Sequence, residues 1–261
     1  MLRSVDSLRG YSLHATDGKI GTVRSLHFDD ESWQVRYLVV HIDSWLDDKD
    51  VLILPAAAFR VVLAEQSINV DLSRKQIKEA QPYSSDLPVS AQHELIDKRN
   101  FAALYLADPW SGSVLPMWFP DTDAVKEVVE ATGDKDLRCT AVVDGYKVID
   151  KGGKPAGKVK DFIVDDEAWE IKFLVVDTNG IYPFGDVLVS NFHVDGFETD
   201  EQLVSIDMSK AELEQCPKYD SFEPVNREYV LKHYDFEGRL VKTSRANVED
   251  YEKLDSKLKD D

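Results

Sequence analysis

Residues 33–40 read WQVRYLVV, with Trp33, Val35, Tyr37 and Val39 alternating with Gln34, Arg36, Leu38 and Val40. Strict alternation of this kind predicts a β-strand, because successive side chains of a strand point to opposite faces. The first face is apolar throughout and is predicted to face a core. The second begins polar and ends apolar, so the last part of the strand is predicted to be buried on both sides. Residues 169–176, WEIKFLVV, repeat the pattern, with Trp169, Ile171, Phe173 and Val175 against Glu170, Lys172, Leu174 and Val176. Leu38, Val40, Leu174 and Val176 therefore need a cover. A helix of the same domain, a sister domain or another chain would each supply one.

The neighbouring elements follow from the same logic. A β-branched and aromatic run at 23–28 precedes Asp29-Asp30-Glu31-Ser32, a polar cluster of the type that closes a hairpin. Further strands are predicted at 51–55 and around 67–71. Ser73-Arg74-Lys75-Gln76 and Ser209-Lys210-Ala211-Glu212 have the form of a capping box, each opening a short helix that turns Ile77 or Leu213 to the core. Pro82 and Pro217 end these helices.

These matches belong to a long internal repeat. Gly157 follows Gly21 by 136 residues, and the same offset relates Asp165-Asp166-Glu167 to Asp29-Asp30-Glu31, Trp169 to Trp33 and Ser209 to Ser73. Upstream, Leu137-Arg138 follows Leu2-Arg3, and Gly145-Tyr146 follows Gly10-Tyr11, by 135 residues. One residue is therefore inserted between Tyr146 and Gly157, and insertions are expected in turns. Periods this long indicate two related domains rather than a solenoid. The expected division is a first domain at 1–96, an inter-domain segment at 97–136, a second domain at 137–241 and a charged tail at 242–261. The segment carries Phe101, Tyr105, Trp110, Trp118 and Phe119, then a short helical pattern. Its aromatic residues are read as cement between the domains, with a ligand pocket as the alternative.

The repeated order Gly-x-x-Gly-x-Val, a strand, Asp-Asp-Glu-x-Trp, an Arg/Lys-aromatic-Leu-Val-Val strand, Val-Leu-Ile/Val and an Asp-x-Ser helix start resembles the PRC-barrel family. Residues 18–73 and 153–209 carry it. The family includes the cytoplasmic domain of the photosynthetic reaction-centre H subunit and the C-terminal domain of a ribosome maturation factor. The resemblance implies a mainly β chain of two tandem small β-barrels, each with a short capped helix after its last strand. The first barrel starts at the N-terminus, so the resemblance is to the module rather than to either full-length protein. Members of the family act through their surfaces.

Composition narrows the function classes. The formal net charge of −18 opposes binding to nucleic acid, where affinity comes from Lys and Arg displacing counterions, and instead favours a protein partner with a basic surface. No apolar run approaches the ~18–20 residues of a membrane span, and no signal peptide is expected, which points to the cytoplasm. Cys139 and Cys216 form no metal-ligand spacing and are expected to be buried thiols. Asp29-Asp30-Glu31 and Asp165-Asp166-Glu167 are read as turn chemistry rather than cation sites. His41 and Asp43 stand two apart, but the second repeat has Asp177 and Asn179 there, so they are no shared catalytic pair. Gly152, Gly153 and Gly157 are read as turn glycines. No nucleophile elbow, phosphate loop or dinucleotide fingerprint occurs.

The expectation is a non-enzymatic interaction or scaffold protein with no cofactor and no metal. Its candidate surface consists of Trp45 and Leu46 in one loop, Tyr182 and Phe184 in the equivalent loop, and the strand ends Leu38, Val40, Leu174 and Val176. A homodimer is compatible with this reading. The alternatives are a peripheral component of a photosynthetic or respiratory membrane complex, and a small-ligand binder or enzyme using the aromatic segment.

Overall fold

The structure is a computed structural model and describes residues 1–42, 49–54, 60–78 and 137–221, together with 225, 230, 233, 234 and 239. Its strands are β1 (Leu2–Ser4), β2 (Ser12–Ala15), β3 (Gly18–Asp29), β4 (Val35–Ile42), β5 (Lys49–Ile53), β6 (Arg60–Val62) and β7 (Ser67–Asn69), then β8 (Leu137–Cys139), β9 (Lys147–Ile149), β10 (Pro155–Asp165), β11 (Glu170–Asp177), β12 (Asp186–Ser190), β13 (Val194–Glu198) and β14 (Leu203–Ile206). Short helices follow β1, β7, β8 and β14: α1 (Val5–Leu8), α2 (Arg74–Lys78), α3 (Thr140–Val143) and α4 (Lys210–Gln215). The chain is mainly β, as expected.

Local chemistry accounts for the two long hairpins. Asp29 Oδ1 accepts from Ser32 N at 2.7 Å and Ser32 Oγ at 2.8 Å, which closes the turn between β3 and β4. Trp33 then enters the left-handed region with φ 60°, an uncommon conformation for a bulky residue. Its indole stacks on Phe28 with centroids 5.5 Å apart, so burial offsets the backbone cost. Trp169 repeats the conformation at φ 51°, and Gln66 and Gln202 form another left-handed pair at 47° and 53°. The repeat thus extends to the unusual backbone angles. The extra residue of the second repeat falls between β9 and β10, where Asp150 Oδ1 accepts from Gly152 N at 2.8 Å and Lys154 N at 2.9 Å.

Two sheets of seven strands result, with the same order. One runs β5-β4-β3-β2-β7-β6 with β8 added to β3; the other runs β12-β11-β10-β9-β14-β13 with β1 added to β10. β2 with β7 and β9 with β14 are parallel, and the other ladders are antiparallel. Matching bulges interrupt β3 between Val23 and Ser25 and β10 between Val159 and Asp161. Such bulges bend a strand and raise its twist.

The compact units are not cut where the repeat is. The leading unit is Arg9–Cys139, and the trailing unit is Met1–Leu8 together with the chain from Thr140 onward. Each sheet therefore takes its seventh strand from the start of the other repeat. This departs from the division at 1–96 and 137–241. Its physical reason is that three-residue strands carry no periodicity, and their partners are set by side-chain anchoring described below.

Gly157 also departs from expectation. It lies inside β10 rather than in a turn, where a Cβ would stand 2.5 Å from Asp177 O and 2.7 Å from Val176 Cγ1. Its equivalent Gly21 would place a Cβ 2.2 Å from His41 O. The glycines permit close approach of the paired strands.

Both capping boxes form. Ser73 N donates to Gln76 Oε1 at 2.9 Å, and Ser209 N donates to Glu212 Oε2 at 2.7 Å. Glu212 also accepts from Lys151 Nζ at 2.7 Å. The lysine, then the Ser209 hydroxyl and amide, bring the Glu212 carboxyl down to about 2. A carboxylate with a depressed folded-state pKa adds stability above its ordinary value of 4.5, and that stability is lost as pH falls toward about 2. Glu212→Gln keeps the cap, as Gln76 does in the first repeat, but removes the charge. Thermal unfolding should show wild type modestly more stable at pH 7 and the gap narrowing below pH 4.5. A gap independent of pH would contradict the assignment.

Candidate interaction surface

The loop between β11 and β12 is tied at its base by Thr178, wholly buried, whose Oγ1 donates to Gly185 O at 2.8 Å. Tyr182 N donates to Thr178 O at 2.8 Å, which tightens the tip. Gly180 and Gly185 supply the left-handed angles, φ 82° and 72°. Tyr182 and Phe184 pack against each other, tilted by 31° with centroids 5.3 Å apart, and are half-buried. Lys210 Nζ lies 4.7 Å from the Tyr182 centroid and Lys218 Nζ 5.0 Å from that of Phe184. Cation–π contacts of this length hold the rings onto their own unit. Ile181, at the tip, stays 43 % exposed.

A more exposed residue escaped the sequence reading. Phe192 is 61 % exposed on the 3-10 turn Asn191–His193 between β12 and β13. The turn is held by its neighbour, Asn191, whose Nδ2 donates to Ile171 O at 3.0 Å. The first repeat has Ala56 at the equivalent position, so the repeat itself carried no signal for Phe192.

The strand ends require a correction as surface residues. Leu38, Val40, Leu174 and Val176 each have 0 % exposure. Leu38 lies between Leu26 and Ile53, and Val40 between Val23 and Val51. Leu174 lies between Phe162 and Val189, and Val176 between Val159 and Val187. Burial on both faces is as the alternation required, but it is achieved within this chain. A partner has no access to these side chains. Trp45, Leu46 and the aromatic residues of 101–119 lie outside the described residues.

The Asp-Asp-Glu turns have a second role that their composition did not disclose. Arg138 Nε donates to Asp30 Oδ2 at 2.7 Å, with both side chains under one-fifth exposed. Arg3 Nε donates to Asp166 Oδ2 in the same way. The middle carboxylate of each turn thus anchors the arginine of the added strand. Registers match too: Arg3 faces Val164 and Arg138 faces Phe28. The repeated Leu-Arg dipeptides and Asp-Asp-Glu turns together were the available signal.

The two anchors differ at one buried position. Asp161, 8 % exposed, accepts from Ser4 Oγ, from Asp6 N at 2.9 Å and from Phe162 N at 2.7 Å. Burial pushes its carboxyl up, against the pull of these donors. The leading unit has Ser25 there, and Cys139 stands where Ser4 stands.

Other groups considered from sequence have local partners. His41 Nδ1 lies 2.8 Å from Asp50 Oδ1, and His193 Nδ1 lies 2.7 Å from Asp207 Oδ1. Asp43 lies outside the described residues. Cys216 is buried, and desolvation pushes its thiol up to about 11; Cys139 is half-buried. Among the described residues no three His, Cys, Asp or Glu side chains converge as metal ligands, and no helix is long and apolar enough to cross a membrane.

Residues 143–208 match the family model of the PRC-barrel domain. The matched span runs from the last residue of α3 through β14 and contains the Asp165-Asp166-Glu167 turn, Trp169 and Phe192. A search of curated proteins gave no match.

Proposed function

We propose that this chain, with a PRC-barrel domain at 143–208, is a non-enzymatic interaction or scaffold protein, and that its leading unit is a second domain of the same kind. The shared strand order of the two sheets supports the second clause. The observation that carries the first is the exposed pair Phe192 and Ile181, large apolar side chains held on short, well-bonded turns. Rigid exposed apolar residues mark interfaces, because they bury area with little loss of conformational entropy. The net charge of −18 favours a protein partner with a basic surface over nucleic acid.

The test is capture from native lysate at low salt with wild type and an Ile181→Ser, Phe192→Ser variant that folds normally. A partner enriched by wild type, weakened by added salt and lost in the variant is the expected result. Equal capture by both proteins would remove these residues from the interface. Recovery of the partner in a salt-washable membrane fraction would assign the peripheral membrane role.

A further inference from the structure

The start of each repeat completes a sheet in the other unit, and the trailing unit's acceptor is chemically specific. Beside β10 it offers a short antiparallel edge, Asp166 for an arginine, and Asp161 for a hydroxyl and a following backbone N–H. The segment β1–α1 supplies all of these from Arg3, Ser4 and Asp6. The otherwise equivalent β8–α3 supplies the arginine, and Ala141 carries the same backbone N–H as Asp6, but Cys139 puts a thiol where Ser4 has its hydroxyl. Asp161 therefore distinguishes the two segments. We propose that this acceptor is a docking site for the β1–α1 segment of a second copy of this chain, so that two chains exchange the segments reciprocally in a two-fold dimer.

The occupant follows from what the site already holds. A segment of the same sequence from a second copy remakes every bond of the intramolecular arrangement, and reciprocal exchange closes the assembly at two chains. The covalent link keeps the effective concentration of the chain's own segment high, so exchange gains ground only as protein concentration rises. Gly10, two residues after Leu8, is a pivot for straightening the chain; it stands at φ 81° and donates its N–H to Val23 O at 2.9 Å. Glycine makes that rotation without steric cost. The three β1 pairings, the bonds of Arg3, Ser4 and Asp6, and the buried side chains Val5 and Leu8 must also release.

Complementary charge reversal tests this directly, independently of the partner proposed above. Arg3→Glu places like charges together within its own chain, and so does Asp166→Arg. Mixed in equal amounts and warmed to permit opening, the two variants restore opposite charges at both acceptors only by exchange. The expected result is a doubling of sedimenting mass and a recovered melting temperature in the mixture, with neither variant dimerising alone. A mixture that behaves as the sum of its parts overturns the proposal. The double variant in one chain should regain monomer stability; if it does not, the ion pair does not hold the segment and the proposal falls. Should either single variant fail to fold, tagged and untagged wild-type chains warmed together at high concentration supply the answer: co-capture supports exchange, and its absence overturns it.

Discussion

Leu174→Ala lowers the stability of the trailing unit by about 2–5 kcal/mol, through lost transfer energy and the cavity left behind. Leu174 is wholly buried between Phe162 and Val189 on adjacent strands. Because β11 is paired on both sides, with β10 and with β12, the site has little freedom to collapse around a missing isobutyl group. Calorimetry is the suitable measurement, since two units need not melt together. A loss below about 1 kcal/mol would show that the side chain is not packed as described. The outcome also separates two roles: a docking residue would leave stability intact and weaken binding, whereas this one acts on the fold.

A second large effect is expected from Gly157→Ala. The added Cβ would meet Asp177 O at 2.5 Å and Val176 Cγ1 at 2.7 Å, one of them backbone. Relief requires moving β10 away from β11 where Lys158 pairs with Asp177 and Val159 with Val176, so ladder bonds are lost along with packing. Overpacking alone costs typically about 1–3 kcal/mol, and the backbone clash places this substitution at or above the top of that range. Gly21→Ala should behave likewise, with its Cβ 2.2 Å from His41 O. Gly196→Ala in β13 meets nothing within 4 Å and serves as the control, with a change of about 0.5 kcal/mol or less. If Gly157→Ala unfolds no earlier than Gly196→Ala, the close approach of the strands is wrong.

What was legible in the chain is what short-range chemistry specifies. The alternation in 33–40 and 169–176 located strands buried on both faces, and Asp29 and Ser209 announced a turn and a cap through bonds to residues three positions away. What was not legible depends on residues far apart. Nothing in Leu2-Arg3-Ser4 distinguishes a strand of its own repeat from one added 159 residues later, because three residues hold too little pattern to select a partner. Gly157 looked like a turn glycine because a glycine needed for room and one needed for φ are the same letter. Leu38 and Val40 showed that a cover was required, while its source was a tertiary fact. Phe192 was hidden for another reason: it breaks the repeat, and a single apolar residue is ordinary in sequence until its exposure is known.

The crossed placement of β1 also has a consequence in time. Ser4 pairs with Ile163 and Arg3 with Val164, so β1 has no partner until some 160 further residues have been made. At about 5–20 residues per second that is a wait on the order of ten seconds. For most of it, until Leu137–Cys139 is synthesised, the sheet of the leading unit also lacks β8. The leading sheet reaches its full strand complement once Cys139 is made, just past the midpoint of the chain, whereas the trailing sheet waits for Ile206 at the end of β14.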